Sequence, residues 1–451
     1  MSRIFTQRPT TSPTTPLVFW FGLAVATLVL AGLLALALVV GRTPGISAWI
    51  DDPRWFRRAL VVHVVMSLWG WFMAYGAGLR TLVDGPPPSG RRTIARVLAA
   101  GGVVAMVASA GIDGARPLLV NYVPVIDHPV FLTGLALFFV GAGLELCRLP
   151  DLAPPHRQSV PAASAIMWRA TAPVTILAAI VFAISLATTS RDMAAEHYYE
   201  TLFWGFGHTL LIVGVLAMLG AWFYLLRDRH GRAPVGPRTA LFLATALVVP
   251  WLAAPFVTLS GTDTATYIGG FTRLMQFGIA GPVLVAIVLS LRNWRSTARH
   301  WAAKWAFGTS AALTVVGFIL GAMIRGQDTM IPAHYHASLG AITVALMALT
   351  YLLLDIPGWR PDGRWWRRLA GLQPPVFGIG QLVFALGFAI GGLAGVDRKV
   401  YGTEQILDSP EAVAALTTMG VGGLMAVTGG IGFIVLIALA CKRRLTSRSR
   451  S

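Results

Sequence analysis

Apolar stretches long enough to cross a bilayer recur twelve times along this 451-residue chain, at about 17–40, 58–79, 94–112, 129–147, 170–190, 201–226, 239–260, 267–291, 305–324, 331–354, 375–395 and 412–440. In hydrocarbon no water satisfies the backbone, so each segment must bond its own N–H and C=O groups, and about 20 residues of helix do so across the membrane. The spacing therefore predicts an all-α fold, a polytopic bundle of twelve transmembrane helices. Only 12% of the residues are charged and the mean hydropathy is +0.67, whereas a soluble domain carries about 25% charged residues. We expect one integral membrane domain over residues 1–451 and no soluble domain. The first run, Pro16–Val40, is too long for a signal-peptide core and lacks a small-residue cleavage pattern, so it reads as a retained span.

The net charge of +17 is unevenly placed. The two ends of the chain and every second loop hold 26 of the 36 Lys and Arg, including Arg91, Arg92, Arg96, Arg227, Arg229, Arg232, Arg238, Arg292, Arg295, Arg299 and Lys304. The alternate loops hold the other 10, with 13 of the 19 acids. This is the positive-inside bias of a membrane protein. It puts both termini in the cytoplasm, and the basic residues meet anionic membrane lipid rather than nucleic acid. Two cysteines, Cys147 and Cys441, are too few for a disulfide framework, and no Cys-x-x-Cys-His attaches a c-type haem. There is no phosphate-binding Gly-rich motif, Cys metal cluster or Ser/His/Asp signature.

Chemistry must then come from the nine histidines. An imidazole is costly in lipid and marks a functional candidate there. His334 and His336 open one hydrophobic helix in Pro332-Ala333-His334-Tyr335-His336-Ala337. Two helical residues two apart point about 200° apart, so one helix can offer a nitrogen to each of two centres. With both termini inside, His63, His208, His334 and His336 all lie roughly 5–15 Å below the outer surface at 1.5 Å per residue. The other five, His128, His156, His197, His230 and His300, fall in loops or at helix ends. A haem iron is the centre that takes neutral imidazole inside a helical bundle. Two plainer readings stand beside it: packing hydrogen bonds, and a histidine proton relay in a transporter. Arg57 and Arg58, shortly before His63, and Arg398 and Lys399, in the last outer loop, are candidate partners for the two negative charges of a haem edge, or ordinary interfacial anchors.

Twelve spans, His63 early in helix 2, Gly207-His208 in helix 6 and His334-Tyr335-His336 opening helix 10 resemble the catalytic subunit I of the haem-copper oxidase superfamily. Arg325-Gly326-Gln327-Asp328-Thr329, running into that last motif, is most similar to the nitric-oxide reductase and cbb3-type branches. The resemblance implies two b-type haems: a low-spin one on His63 and His336, and a high-spin one on His334. It implies that His208 is one ligand of a second metal, copper or non-haem iron. It also implies an oxidoreductase of a bacterial inner membrane, supplied with electrons by a c-type cytochrome subunit or quinol and binding dioxygen or nitric oxide. The chain departs from the family where an adjacent His-His pair should complete the second metal site. Asp263 and Thr264 stand there instead, and helix 6 carries Thr209 but no acid. His208 and Asp263 are then the expected distal pair, as a weak metal site or as hydrogen-bond donor and proton carrier. The alternatives are a non-catalytic dihaem cytochrome b for electron transfer or gas sensing, and the histidine-relay transporter.

Overall fold

The computed structural model describes residues 15–49, 52–148, 159–292, 301–400, 404–405 and 407–448. His156 and His300, with Arg157, Arg295 and Arg299, lie outside the described residues. Twelve helices are long and apolar enough to cross a membrane: α1 Thr15–Arg42, α2 Arg54–Asp84, α3 Ser89–Ser109, α4 Pro129–Leu146, α5 Ala162–Thr188, α6 Ala195–Leu225, α7 Pro237–Leu259, α8 Ala265–Arg292, α9 Trp301–Met323, α10 Met330–Leu353, α11 Arg364–Leu393 and α12 Pro410–Lys442. The all-α, twelve-span reading holds helix by helix. The one regular exception among the described residues is a short antiparallel hairpin between α3 and α4, β1 Arg116–Leu118 paired with β2 Val125–Asp127.

Helix ends move for identifiable reasons. α11 begins eleven residues before its apolar run, because Arg364, Trp365, Arg367 and Arg368 extend it as a basic, aromatic turn ahead of Pro374 and Pro375. Hydropathy sees only the part beyond the prolines. α6 begins at Ala195 rather than 201, so His208 lies about three and a half turns inside the helix. α2 is started by Asp52, whose carboxylate accepts from the backbone N–H of Arg54 and Trp55, with Pro53 in the first turn. It does not run as one regular α-helix: Val65–Gly70 winds as a π-helical stretch just after His63, a departure common at functional sites.

The layering singles out three helices. In their most apolar stretch α2, α6 and α10 are 78%, 89% and 78% buried, against 28–44% for the other nine. These are the helices that carry His63, His208, and His334 with His336. The other nine face lipid over much of their length and wrap the inner three. Tyr75 of α2 ties two of them together, donating to the Leu346 carbonyl of α10 at 3.0 Å beside Thr350. Where the end of α2 meets the end of α4 and the start of α5 a buried ionic cluster forms: Asp84 pairs with Arg80 at 2.8 Å and Arg169 at 2.7 Å, and Glu145 with Arg148 at 3.0 Å.

Candidate functional site at the centre of the bundle

His63, His208 and His334 are each oriented by the carbonyl they bond. A carbonyl only accepts, so the ring nitrogen facing it must carry the proton and the other nitrogen bears the lone pair of a neutral imidazole. Nδ1 of His63 lies 2.9 Å from the Ala31 carbonyl of α1. Nδ1 of His334 lies 2.7 Å from the Gly317 carbonyl of α9. Nδ1 of His208 lies 2.7 Å from the carbonyl of Trp204, one turn earlier on α6. All three therefore present Nε2 as a potential ligand, the tautomer a metal-binding histidine needs.

The surroundings of Nε2 differ. Among the described residues Nε2 of His63 and of His334 has no hydrogen-bond partner, and both residues keep accessible surface although they lie deep in the bundle. Gly321 makes the room at His334: a Cβ there would stand 2.7 Å from Nδ1 and 2.8 Å from Cε1. His336 points to the other side of α10, with its ring against Phe384 and Phe388 of α11 at centroid distances of 4.6 and 6.0 Å. It lies within electrostatic reach of His63 and of Arg42. Gln381 approaches the same ring without completing a hydrogen bond, because its Oε1 is buried and unpartnered. The structure thus brings His63 and His336 into one neighbourhood and turns His334 toward α9.

His208 is closed. Only 3% of it is exposed, and its Nε2 is 2.7 Å from the hydroxyl of Tyr122, which donates to it. Burial, and then the nearby Glu200 carboxylate, push the Tyr122 phenol well above its usual range, so it holds its proton. Asp263 does not join His208. Its carboxylate bonds His197 at 2.8 Å, both side chains more than half exposed, and His197 stands eleven residues, about 16 Å of helix rise, from His208. Thr264, the other residue at the expected metal position, caps α8 by accepting from the Tyr267 N–H. That corrects the expected pairing: a helix start and a surface hydrogen bond occupy the segment.

The expected anionic contacts divide. Arg57 is paired with Glu404 at 3.1 Å. Arg58 donates only to the backbone carbonyls of Ala110 and Ala115, and its Nε is buried without a partner. Arg398 donates to the side-chain oxygens of Asn121 and Gln327. Among the described residues neither Arg58 nor Arg398 has a carboxylate partner, so both charges remain available to an anion. Arg42, which the sequence did not single out, joins them: it donates to the Val400 carbonyl at 2.8 Å and lies over Phe388. Lys399 is half-buried with φ +65°, and burial, then Arg398, push its ammonium pKa down.

Imidazoles with free Nε2 lone pairs, an orphaned amide oxygen beside the fourth ring and uncompensated arginines above them fit haem as a donor set. A second metal at His208 does not fit. Among the described residues no group of three or more His, Cys, Asp or Glu can hold an ion, and the one imidazole expected there already binds a proton donor.

A twelve-helix membrane bundle with histidines on helices 2, 6 and 10 is what the geometry defines, and the comparison with known families agrees with it. The chain belongs to the family of cytochrome c and quinol oxidase polypeptide I, which matches residues 15–426. It is 30% identical to an uncharacterized protein of Aquifex aeolicus (strain VF5), over 76% of this chain and 85% of that one. It is 23% identical to the uncharacterized protein RP382 of Rickettsia prowazekii (strain Madrid E), over 92% and 94%. In fold it is similar to a heme-copper terminal oxidase solved as a dimer by cryo-EM, with a TM-score of 0.74, 17% identity, and coverage of 96% of this chain and 84% of that one.

Proposed function

We propose that this chain is a haem-carrying oxidoreductase of a bacterial inner membrane, in which His63 and His336 would hold a low-spin b-type haem and His334 a second, high-spin one. One observation carries the reading: His63 and His334 each donate Nδ1–H to a backbone carbonyl and leave Nε2 unpartnered inside the bundle. A neutral imidazole oriented by its own Nδ1–H bond presents the Nε2 lone pair as a ready metal ligand. Haem supplies one-electron chemistry and, on an open face, a place for dioxygen or nitric oxide. The chain's own residues orient and screen. Ala31 and Gly317 fix the two tautomers, Phe384 and Phe388 exclude water from His336, and Arg42, Arg58 and Arg398 offer charge to the carboxylates at the haem edge. Electrons would come from a c-type cytochrome subunit or quinol.

A second reading, a dihaem cytochrome b for electron transfer or gas sensing without turnover, is favoured by the closed state of His208. The proton-relay reading gains no support, because the imidazoles bond backbone carbonyls rather than one another.

Optical spectroscopy of the purified chain tests the reading. His63→Ala should remove the low-spin bands and leave the high-spin ones. His334→Ala should remove the shift that carbon monoxide causes in the reduced protein. A colourless wild-type protein would end the proposal. Oxygen or nitric-oxide consumption with an artificial reductant then separates enzyme from sensor.

A further inference from the structure

Tyr122 is held where it is by everything around it. It is one of two non-glycine residues with positive φ among the described residues, at +62°, a conformation unfavourable for a side chain with Cβ. Such strain persists only where neighbours over-determine it. Here they do. Trp69 of α2, six residues after His63, donates its indole N–H to the Tyr122 carbonyl at 2.8 Å. The preceding residue, Asn121, is gripped through its backbone N–H by Glu200 of α6 at 2.7 Å, and through its side-chain oxygen by Arg398 at 2.8 Å. Arg398 also bonds Gln327, next to Asp328, whose carboxylate accepts from the first N–H of α10. The β1–β2 hairpin delivers the segment. Gly207 gives it space, since a Cβ at Gly207 would stand 2.4 Å from Cβ of Tyr122. The ring then lies 4.1 Å from the His208 ring, centroid to centroid, with Trp204 edge-on to it at 5.7 Å.

We propose that Tyr122 stands in for the second metal of this family: its hydroxyl occupies the Nε2 lone pair of His208, and the outer loops clamp it there, so that a phenol–imidazole pair takes the position of a metal centre. The inference rests on family membership and on the hydrogen bond, and not on haem ligation by the other histidines. It deepens the functional reading in one respect. A ligand bound beside this pair meets a group that holds one transferable proton and supplies no metal electron, so chemistry needing a second metal is closed to this chain. Tyr122 is a positioning residue for His208. The strained backbone is understandable because a relaxed one would withdraw the hydroxyl.

The test uses the full chain in nanodiscs, labelled with ¹⁵N-histidine, with copper measured after washing with a chelator. Wild-type protein should retain no copper. His208 should give a neutral imidazole resonance with Nε2 displaced toward the hydrogen-bonded position. That resonance should vanish in His208→Ala and move to the unbonded position in Tyr122→Phe. Gly207→Ala, which drives Cβ into Tyr122 while keeping the phenol, should move it the same way and serves if Tyr122→Phe does not fold. One copper per chain, lost on His208→Ala, would overturn the proposal. So would a resonance indifferent to both Tyr122→Phe and Gly207→Ala. The measurement also works on protein without haem, so its outcome is separate from that of the optical test.

Discussion

Gly321→Ala should loosen His334 without touching either ligand of the other centre. The added Cβ would stand 2.7 Å from Nδ1 of His334, about 0.7 Å short of ordinary contact, and 2.8 Å from Cε1. The atoms it meets belong to a rigid ring at the helix interface, so either the imidazole or α9 must shift by about that distance. The Nδ1 bond to Gly317 is now 2.7 Å, and such a shift takes it to the edge of hydrogen bonding. Partners that orient a ligating histidine are worth about 10–100-fold in metal affinity, about 1.4–2.8 kcal/mol. The assay is a carbon monoxide titration of the reduced protein with haem stoichiometry measured beside it. Occupancy of the high-spin site should fall by that factor, while the low-spin bands assigned to His63 and His336 stay at wild-type intensity. Gly22→Ala, with nothing within 4 Å of its added Cβ, is the control and should be silent. A Gly321→Ala protein with full high-spin occupancy and an unchanged titration would refute His334 as a haem ligand held by Gly317.

Two more expectations follow from buried or half-buried charge. Asp84→Asn deprives Arg80, whose side chain is fully buried, and Arg169 of their shared carboxylate; uncompensated buried charge costs about 3–5 kcal/mol, so thermal stability should drop clearly while the optical spectrum is unchanged, and an unaltered melting curve would contradict the cluster. Lys399 is a base whose pKa in the folded protein lies below its ordinary 10.5, so the unfolded chain binds that proton more tightly and the charged form counts against the fold at lower pH. The penalty should lift as pH rises from the folded pKa toward 10.5; melting temperatures across that window should rise in wild type relative to Lys399→Met, and parallel curves would refute the shift.

What the sequence showed and what it hid divide along periodicity. Each of the twelve helices was legible because a span needs a long uninterrupted apolar run, and Pro237–Leu259 or Ala265–Arg292 carry one as plainly as Thr15–Arg42. His63, His208, His334 and His336 were legible because polar rings stand out in such runs. Tyr122 was not, because it sits in a short loop among Asn, Val and Pro with no repeating pattern, and its role depends on a backbone conformation and on Gly207 eighty-five residues away. Arg42 and Gln381 were not singled out, because only the packing of α1 and α11 against α10 brings them beside His336. Asp263 was misplaced because spacing assigned it by position in a loop, while its geometry is set by the start of α8 and by His197.

The same residue type therefore does different work in one bundle, and the difference lies in the second nitrogen. His63, His208 and His334 are oriented alike, with Nδ1–H on a backbone oxygen. For His63 and His334 that leaves the Nε2 lone pair without a hydrogen-bond partner among the described residues. For His208 the hairpin between α3 and α4 supplies that partner, a hydroxyl. Occupying the Nε2 lone pair of His208 with a phenol leaves the histidine itself unchanged. It requires a loop able to reach in, a glycine to admit it and a cation to hold it, and Tyr122, Gly207 and Arg398 are those three parts.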